Sequence, residues 1–542
     1  MNIFSPMLFT DLKKYSKEQF IKDIIAGIIV AVIALPLSIA LAIASGVTPE
    51  AGIYTAIIAG FIAALLGGSS VQITGPTAAF ATIVAGIVAR NGMGGLALAT
   101  VIAGIFLIIM GLFKLGDLIR FIPFTITTGF TAGIAVTLLI GQLKDFCGVT
   151  YQNGEAPIET IEKLETFIAN ASTINLQAIF VGLVCLLILG LWPKINDKIP
   201  ASLLAVAVSI AMVQLLGLKV NTIGSLYELS NSLPSFKLPA FTIHSLSSII
   251  PDALTIAILA AIESLLSCVV ADGMISKHHR SNTELIAQGA ANIGSALFGG
   301  IPATGAIART AANIKSGGRT PVTGIVHSIV LLLVLVVLMP YAAYIPMSAI
   351  AAILINVAYN MCQWRSFVHL VKSSPKSDII VLVLTFVLTV VFDLVIAIEV
   401  GIVAACVLFL KRMSEESRIE SWKYDKSEDH MDVPLHISVY ELNGPMFFAV
   451  ARQLQKIKTK NFTKCVILRM RSVPSIDTDA LRHMDSFVKR CKDKGITVIF
   501  SHVNEQPMRA IKKAGLYQYF GEENFCANID EAMERASKLN GE

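Results

Sequence analysis

Charged residues are scarce in this 542-residue chain: Asp, Glu, Lys and Arg together make up 15% of it, against 54% hydrophobic residues. Soluble globular proteins carry about 25% charged residues, so the composition excludes a soluble protein and indicates a membrane protein. The formal net charge is only +5, and the basic residues are scattered over short segments between apolar runs. Because they form no stripe, we expect a lipid bilayer and no nucleic acid around this chain.

Paired cysteines and recognisable catalytic motifs are also missing. The eight cysteines stand singly, without a CxxC pair or a set of histidines at metal-ligand spacing. This excludes a disulfide scaffold and a structural zinc site and favours buried, unpaired thiols. The sequence contains no P-loop and no nucleophile–base pair. We therefore predict neither an enzyme nor a bound cofactor.

Long apolar runs are present instead, from about Ile24 to Leu410, and ordinary soluble composition returns beyond Met413. We predict four parts: a cytosolic N-terminal segment, a transmembrane domain, a linker and a soluble domain, at 1–23, 24–412, 413–431 and 432–542. The transmembrane domain contains about fourteen hydrophobic segments, at 24–45, 51–67, 77–89, 94–113, 121–142, 173–191, 200–217, 251–272, 284–298, 303–314, 321–339, 342–360, 378–392 and 396–410.

Two of these segments, 77–89 and 303–314, are too short to span the membrane. A hydrocarbon core of about 30 Å needs about 20 residues of helix at about 1.5 Å per residue. We therefore predict that both are half-helices that begin or end inside the bilayer.

Loop charges predict the orientation, because cytoplasmic loops are enriched in Lys and Arg. Alternate loops on the side of the basic N-terminus carry such residues, namely Lys114, Arg120, Lys194, Lys198, Lys277, Arg280, Lys315, Arg319, Arg365, Lys372 and Lys376. The loop 144–172 is acidic and suits the opposite side, with Asp145, Glu155, Glu159, Glu162 and Glu165. Both termini are predicted to be cytoplasmic. We expect no cleavable signal in the first 23 residues.

The two short segments also indicate an internal repeat, because many transporters consist of two inverted halves whose broken helices meet at the midplane. Pro36 and Pro76 are separated by 76 − 36 = 40 positions, and Glu263 and Ala303 by 303 − 263 = 40. The spacing predicts that the two halves share one fold at an offset of 227 positions.

Each short segment follows a break in the apolar pattern that contains a proline. Proline suits the first turn of a helix, so each break can start one. The breaks are Gly75-Pro76-Thr77 and Pro302-Ala303-Thr304. A helix start inside the membrane leaves free N–H groups and about half a positive charge. Two facing starts would form an anion cradle, and Arg309 would add a full charge to it. The alternative is a pair of kinks packed on small residues, with Arg309 extended to the membrane interface.

Glu263 is a second ionisable residue within an apolar run. Burial and a neighbouring Arg309 act in opposite directions on the proton affinity of a carboxylate, so Glu263 is a candidate proton-coupling residue. The alternative is a permanent Glu263–Arg309 ion pair that locks the two halves together.

Several long motifs carry a family resemblance: "QITGPTAAFATIVAG", "IESLLSCVVADG", "GGIPATGAIARTAANIKSGG" and "IPMSAIAAILI". The chain resembles the bacterial SulP, or sulfate permease, family of anion transporters. The resemblance implies fourteen segments in a seven-plus-seven inverted repeat, core and gate domains, an elevator-like movement, a homodimer and a cytosolic C-terminal STAS domain.

The resemblance also implies where the substrate binds, between the two half-helices. When the family's motifs are matched to this sequence, the residues that would contact the substrate are Leu41, Thr77, Ala78, Ala306, Ile307, Ala308 and Arg309. Some members carry serines at the positions of Ala306 and Ala308, so backbone N–H groups would hold the anion here. Sodium-coupled members carry an Asp at the position of Glu263, with a hydroxyl one turn later. Glu263 resembles the proton-coupled branch, although Ser267 leaves a sodium site open.

The soluble part reads as an α/β domain. The runs "LHISVYEL", "CVILRM" and "TVIFSHV" predict strands, and amphipathic stretches after Asp477, Glu505 and Ile529 predict helices. The part resembles a STAS domain, whose soluble relatives carry a phosphorylated Ser or Thr where Asp479 stands here. This argues against that phosphorylation switch, and Asp477 or Thr478 is expected to cap a helix instead.

The combined expectation is a secondary active transporter of a small anion in a bacterial plasma membrane, with proton symport. Sulfate, bicarbonate and dicarboxylates remain open as substrates. Sodium symport, anion exchange and an uncoupled anion channel remain open as alternatives.

Overall fold

The computed structural model describes residues 4–117, 123–151, 157, 159–196, 199–238, 243–392, 394–421, 434–448, 452–457, 459 and 462–540. The chain divides into two compact units, Met1–Val403 and Ala404–Glu542. Among the residues used for the predictions, Arg120, Glu155, Lys198 and the second half of the linker lie outside the described residues.

The first unit is almost entirely helical, and each of the fourteen predicted segments contains helix. The helices that form this unit and lead out of it, α1 to α17, are Met7–Asp11, Lys17–Ala44, Pro49–Leu66, Ala81–Leu112, Phe124–Cys147, Thr160–Ala169, Leu176–Ile195, Ala201–Leu216, Ile223–Leu226, Ile243–Ile275, Ser281–Leu297, Ile307–Lys315, Val322–Leu338, Met347–Cys362, Trp364–Ser373, Lys376–Val391 and Leu394–Glu416.

Local chemistry sets several of these boundaries. The Ser16 hydroxyl caps α2 by accepting from the backbone N–H of Gln19 at 3.1 Å, which satisfies one of the free donors of the first turn. Helices α5 and α8 end at Gly148 and Gly217, both with φ 61°. This left-handed conformation is readily adopted by glycine and ends a helix.

Helix lengths agree with a protein that crosses a membrane many times. In the described part of the chain, seven helical stretches are long and apolar enough to span a bilayer by length and composition. Helix α12 has nine residues and rises only about 14 Å. Helix α4 is divided at Gly92, whose φ of 65° and ψ of −175° separate a short first part from a longer second part. Both predicted half-helices are therefore confirmed.

The helices pack into two groups. One contains α2, α3, α4 and α10 to α13; the other contains α5, α7, α8, α14 and α16. Small residues allow the helices within each group to approach closely. A Cβ added at Gly104 of α4 would lie only 2.6 Å from the carbonyl oxygen of Gly289 on α11, so no larger residue fits there. A Cβ at Gly129 of α5 would lie 2.5 Å from the carbonyl oxygen of Leu382 on α16. Such contacts are typical of membrane helix packing, and the two groups are the predicted core and gate domains.

The two breaks meet as a pair of short strands. Strand β1, Thr74–Gly75, pairs antiparallel with β2, Thr304–Gly305, and Thr74 stands opposite Gly305. The antiparallel pairing gives the two halves opposite directions, as in an inverted repeat.

The strand pair corrects two details of the prediction. Helix α12 begins at Ile307, not at 303, because residues 304 and 305 are held extended by pairing with β1. The equivalent Thr-Gly pairs lie 304 − 74 = 230 positions apart, so the predicted offset of 227, which matched Pro76 with Ala303, is wrong by three.

The second unit contains a five-stranded sheet in the order β3-β4-β5-β6-β7. Strand β3 is antiparallel to β4, and the other neighbours are parallel. The strands are Arg418–Ser421, Ile437–Asn443, Cys465–Ser472, Thr497–Ser501 and Phe525–Cys526. The helices α18 to α21 are Thr478–Lys492, Glu505–Lys513, Leu516–Phe520 and Ile529–Asn540.

The predicted strands β4 to β6 and helices α18, α19 and α21 are confirmed, whereas the short β3, β7 and α20 were missed. Asp477 caps α18 by accepting from the backbone N–H of Ala480 at 2.8 Å. Four of the eight cysteines are buried, and Cys406 is exposed, so burial was predicted correctly for only some of the thiols.

Candidate anion-binding site

Helix α12 begins with unpaired backbone donors. Its N-cap, Ala306, has no side-chain oxygen, and the first intrahelical bond runs from Thr310 N to Ala306 O at 2.9 Å. The N–H groups of Ile307, Ala308 and Arg309 therefore have no intrahelical partner. The side chains of Ile307 and Ala308 are exposed, whereas Ala306 is buried.

The first half-helix begins in a similar way. Thr77 precedes a 3-10 turn at Ala78–Phe80 that leads into α4, and its hydroxyl does not cap that turn. The N–H groups of Ala78 and Ala79 are consequently available. Leu41 of α2 is buried and belongs to the same large hydrophobic cluster as Ala78.

Arg309 points back toward the first break. It is 3% exposed, and its Nη2 donates to the carbonyl oxygen of Pro76 at 3.1 Å. Its Nη1 occupies the space beside Gly75, where a Cβ would lie 2.5 Å away. The alternative in which Arg309 extends to a membrane interface is therefore wrong, since the guanidinium lies between the two halves.

Glu263 of α10 lies at the first break as well. It is half-buried and accepts a hydrogen bond from the Thr77 hydroxyl at 2.9 Å. No ion pair joins Glu263 to Arg309, both of which are described residues, so the locking ion pair considered above is not formed. The next residue, Ser264, shares a hydrogen bond of 2.7 Å with Thr304. Helix α10 thus contacts both breaks through adjacent residues.

Ser267, the candidate second ligand for sodium, faces a different neighbour. Its hydroxyl is 3.4 Å from the hydroxyl oxygen of Thr310 on α12, which also accepts from Ile73 N at 3.0 Å. Within the described parts of the chain, no group of three or more His, Cys, Asp or Glu side chains is arranged to hold a metal ion.

Sequence reasoning missed a buried polar network behind the breaks. Glu284 on α11 accepts from Gly68 N at 2.8 Å, Gln72 Nε2 at 2.7 Å and Gln288 Nε2 at 2.8 Å. Asn292 holds both backbone groups of Ala303 at 2.9 Å. The signal was present in the sequence, since polar residues at 284, 288 and 292 recur every fourth position on one helix face.

A second missed residue anchors the far end of α12. Asp23, on α2, is fully buried and accepts from the Tyr15 hydroxyl at 2.9 Å, Arg319 N at 2.9 Å and the Thr320 hydroxyl at 2.5 Å. A buried carboxylate needs such donors. The loop after α12 is therefore fixed to α2.

Two cavities approach the first half-helix. They have volumes of about 400 and 670 Å³ and both are lined by Thr82 of α4 and Thr137 of α5. Thr82 lies four residues after Ala78, on the same face of the half-helix. Both cavities thus lie between α4 and α5 and contact the half-helix one turn beyond its start, and neither is lined by Ala78, Ile307 or Ala308.

This arrangement is suited to holding an anion without a metal. It combines two free helix starts, each with a partial positive charge, with the full charge of a buried arginine. A carboxylate linked to one start by a single hydroxyl offers a place for a proton.

Comparison with known proteins identifies the family of the chain. The model of the sulfate permease family matches residues 20–385, and that of the STAS domain matches residues 430–532. The chain belongs to the sulfate permease family. It is a multi-pass membrane protein of a family of anion transporters, and it is not an enzyme.

Relatives within the sulfate permease family match over nearly the full length. The putative sulfate transporter YvdB of Bacillus subtilis is 40% identical over 531 residues, covering 96% of this chain and 98% of that protein. The bicarbonate transporter BicA of Synechocystis is 30% identical over 510 residues, covering 90% of this chain and 89% of that protein.

A solved structure supports the fold. The murine Solute Carrier 26 family member A9 anion transporter, in its inward-facing state, matches with a TM-score of 0.88 over 98% of this chain and 94% of that one. The identity is 16%, so the likeness concerns the fold alone. It agrees with the helical transmembrane core and C-terminal STAS domain described above.

Proposed function

We propose that this protein is a secondary active transporter that carries a small anion into the cell together with a proton, by an elevator-like movement of the core domain against the gate domain. One observation carries the proposal: Arg309 of the second half reaches the Pro76 carbonyl of the first at 3.1 Å. This contact supports a positive charge shared by the two breaks. The anion is bound by the N–H groups of Ala78, Ile307 and Ala308, with Leu41 and Ala306 packed around it.

Thr77 links the anion to the proton in this proposal. When Glu263 is ionised, the Thr77 hydroxyl donates to it, as observed at 2.9 Å. When Glu263 takes up a proton, its own O–H donates to the Thr77 oxygen, and the Thr77 proton turns toward the anion. One proton thus adds a donor to the anion site and removes a negative charge from its border.

Proton coupling is favoured over sodium coupling by the position of Ser267. Its hydroxyl donates to Thr310 at 3.4 Å, whereas the Glu263 carboxylate accepts from Thr77 at 2.9 Å, so the two candidate sodium ligands have different hydrogen-bond partners. Sodium symport, anion exchange and an uncoupled channel remain outcomes of the test below.

The proposed substrates are small oxyanions: sulfate, bicarbonate or a dicarboxylate. The names of the relatives support the first two. The transporter is proposed to lie in a bacterial inner membrane as a homodimer, with both termini in the cytoplasm as the loop charges predict.

The test uses purified protein in proteoliposomes. Labelled sulfate, bicarbonate and succinate are offered with and without an inward proton gradient and with and without sodium. We expect uphill uptake driven by the proton gradient alone. Uptake that follows only the anion's own gradient would indicate a channel, uptake that requires an anion inside the vesicles would indicate exchange, and uptake that requires sodium would indicate sodium symport.

Glu263→Gln tests the role of the carboxylate in the same vesicles. We expect the variant to lose the dependence of uptake on external pH, because the amide cannot take up the proton. The matched control is Glu399→Gln, since Glu399 is an exposed glutamate of α17. An unchanged pH dependence in the Glu263 variant would remove the proposed coupling role.

A further inference from the structure

His327 of α13 has no role in the site described above, although its position is unusual. Its side chain is fully buried, and neither ring nitrogen has a hydrogen-bond partner among the described residues. A neutral imidazole carries one donor and one acceptor. Buried polar groups in folded proteins are nearly always paired, with protein atoms or with ordered water. The ring therefore requires a partner.

The ring edge that carries Nδ1 faces Gly60 of α3. A Cβ added at Gly60 would lie 2.9 Å from the Ser328 hydroxyl, 3.3 Å from the carbonyl oxygen of Thr74 and 3.7 Å from His327 Nδ1. Thr74 is in β1, directly before Gly75, and stands opposite Gly305. The bond from Ala306 N to Ile73 O makes this a non-hydrogen-bonded pair. The Thr74 carbonyl therefore points away from β2.

Arg309 lies near the same face of α3 as His327. Its Nη1 is buried without a partner among the described residues. The space that Nη1 occupies beside Gly75 is bounded by Ala56, whose Cα and Cβ would lie 3.7 Å from a Cβ at Gly75. Ala56 and Gly60 are one turn apart on α3. The unpaired donor of Arg309 and the unpaired nitrogen of His327 therefore border one buried region beside β1.

We propose that this region is a water-binding site and that His327 positions Arg309 through it. One water accepts from Arg309 Nη1–H and donates to His327 Nδ1 and to the Thr74 carbonyl oxygen. These three partners satisfy a buried water. With Nη2 held by Pro76 at 3.1 Å, the guanidinium is then fixed at both ends. This inference rests on the proposed function, because the fixed charge is the one that binds the anion.

The test compares three substitutions of His327 in the proteoliposome assay. Asn places a polar atom where Nδ1 stood, Gln places one nearer the position of Nε2, and Leu removes both. We expect His327→Leu to raise the KM for the anion about tenfold, as the loss of one buried hydrogen bond would, with little change in maximal rate. His327→Asn should keep the KM within about twofold of the unsubstituted protein, and His327→Gln should resemble the Leu variant.

Gly60→Ala provides an independent test that leaves His327 in place. The added methyl group would lie 3.3 Å from the Thr74 carbonyl oxygen and 2.9 Å from the Ser328 hydroxyl, which would have to shift, and the methyl group would exclude the water. We expect the same rise in KM. If Leu, Asn and Gln variants share one KM, or if Gly60→Ala is unchanged, the water site is refuted. If His327→Leu does not fold, the comparison of Asn with Gln still decides.

A high-resolution map of the unsubstituted protein separates this inference from the proposed function. We expect a water peak within hydrogen-bond distance of Arg309 Nη1, His327 Nδ1 and the Thr74 carbonyl oxygen. A peak in a protein that transports none of the anions offered would leave the site standing and reject the function. Transport without such a peak would support the proposed function and reject the water site.

Discussion

The position of the Arg309 guanidinium depends on Gly75. Its Nη1 fills the space beside Gly75, where a methyl group would lie 2.5 Å away. We expect Gly75→Ala to displace the guanidinium and raise the KM for the anion about tenfold, since a charge-assisted hydrogen bond is lost. The control is Gly94→Ala, because a Cβ there meets nothing within 4 Å. Equal KM values for the two variants in proteoliposome uptake would contradict this role of Gly75.

Thr77 is the second single residue on which the account depends. Thr77→Val keeps the shape of the side chain but removes the hydroxyl that donates to Glu263 at 2.9 Å. We expect a lower maximal rate and a weaker response of uptake to external pH, because the link between proton and anion is broken. Thr77→Ser should retain both. Uptake measured over a pH series checks this, and a pH response in the Val variant equal to that of the Ser variant would count against the link.

Sequence analysis found the charged residues of the site, and it named Pro76 and Thr77, but it did not pair them with the charges. Arg309 and Glu263 were recognisable because a charge inside an apolar run is costly. Their partners, Pro76 and Thr77, lie 233 and 186 positions away in the chain. No local pattern joins residues at such separations. His327 was missed because a single histidine in an apolar helix resembles many others.

The presence of the membrane helices was predicted better than the residues at which they begin and end. Hydrophobic length identified all fourteen helical segments, including the two half-helices. The start of α12 could not be predicted, because it is set by pairing between β1 and β2 across 230 positions. The helices α1, α6, α9 and α15 were missed, since they are short, and α6 and α15 have no buried residue.

Close helix packing gives a prediction at this scale. Gly289 of α11 faces the carbonyl oxygen of Gly104 on α4. A Cβ added at Gly289 would lie 2.5 Å from that oxygen. We expect Gly289→Leu to force the helices apart and to destabilise the core domain by about 1–3 kcal/mol, the usual cost of overpacking. Gly190→Leu on α7 should be near neutral, because a Cβ there meets nothing within 4 Å. Thermal unfolding in detergent measures both, and equal midpoints would contradict the packing argument.

The whole molecule consists of two units with separate cores. The second unit has its own hydrophobic clusters on the two faces of its sheet. Its sheet order was beyond sequence analysis, since β4 to β6 could be recognised but their neighbours β3 and β7 are only four and two residues long.

Deletion of residues 425–542 tests what the STAS domain contributes. We expect the transmembrane unit to fold, because it has its own core, and to bind the anion with unchanged affinity. The transport rate or the fraction of dimer in detergent should fall, as expected of a regulatory or assembly domain. Uptake kinetics and light scattering check this, and unchanged values of both would exclude a regulatory role and an assembly role.

The central claim is that the anion binds between the two helix starts, beside Arg309. The most direct measurement is a structure determined with the anion that the uptake experiments identify as substrate. The account predicts density for that anion within hydrogen-bond distance of the backbone N–H groups of Ala78, Ile307 and Ala308. Density for the anion elsewhere in the membrane unit, with none between the helix starts, would contradict it.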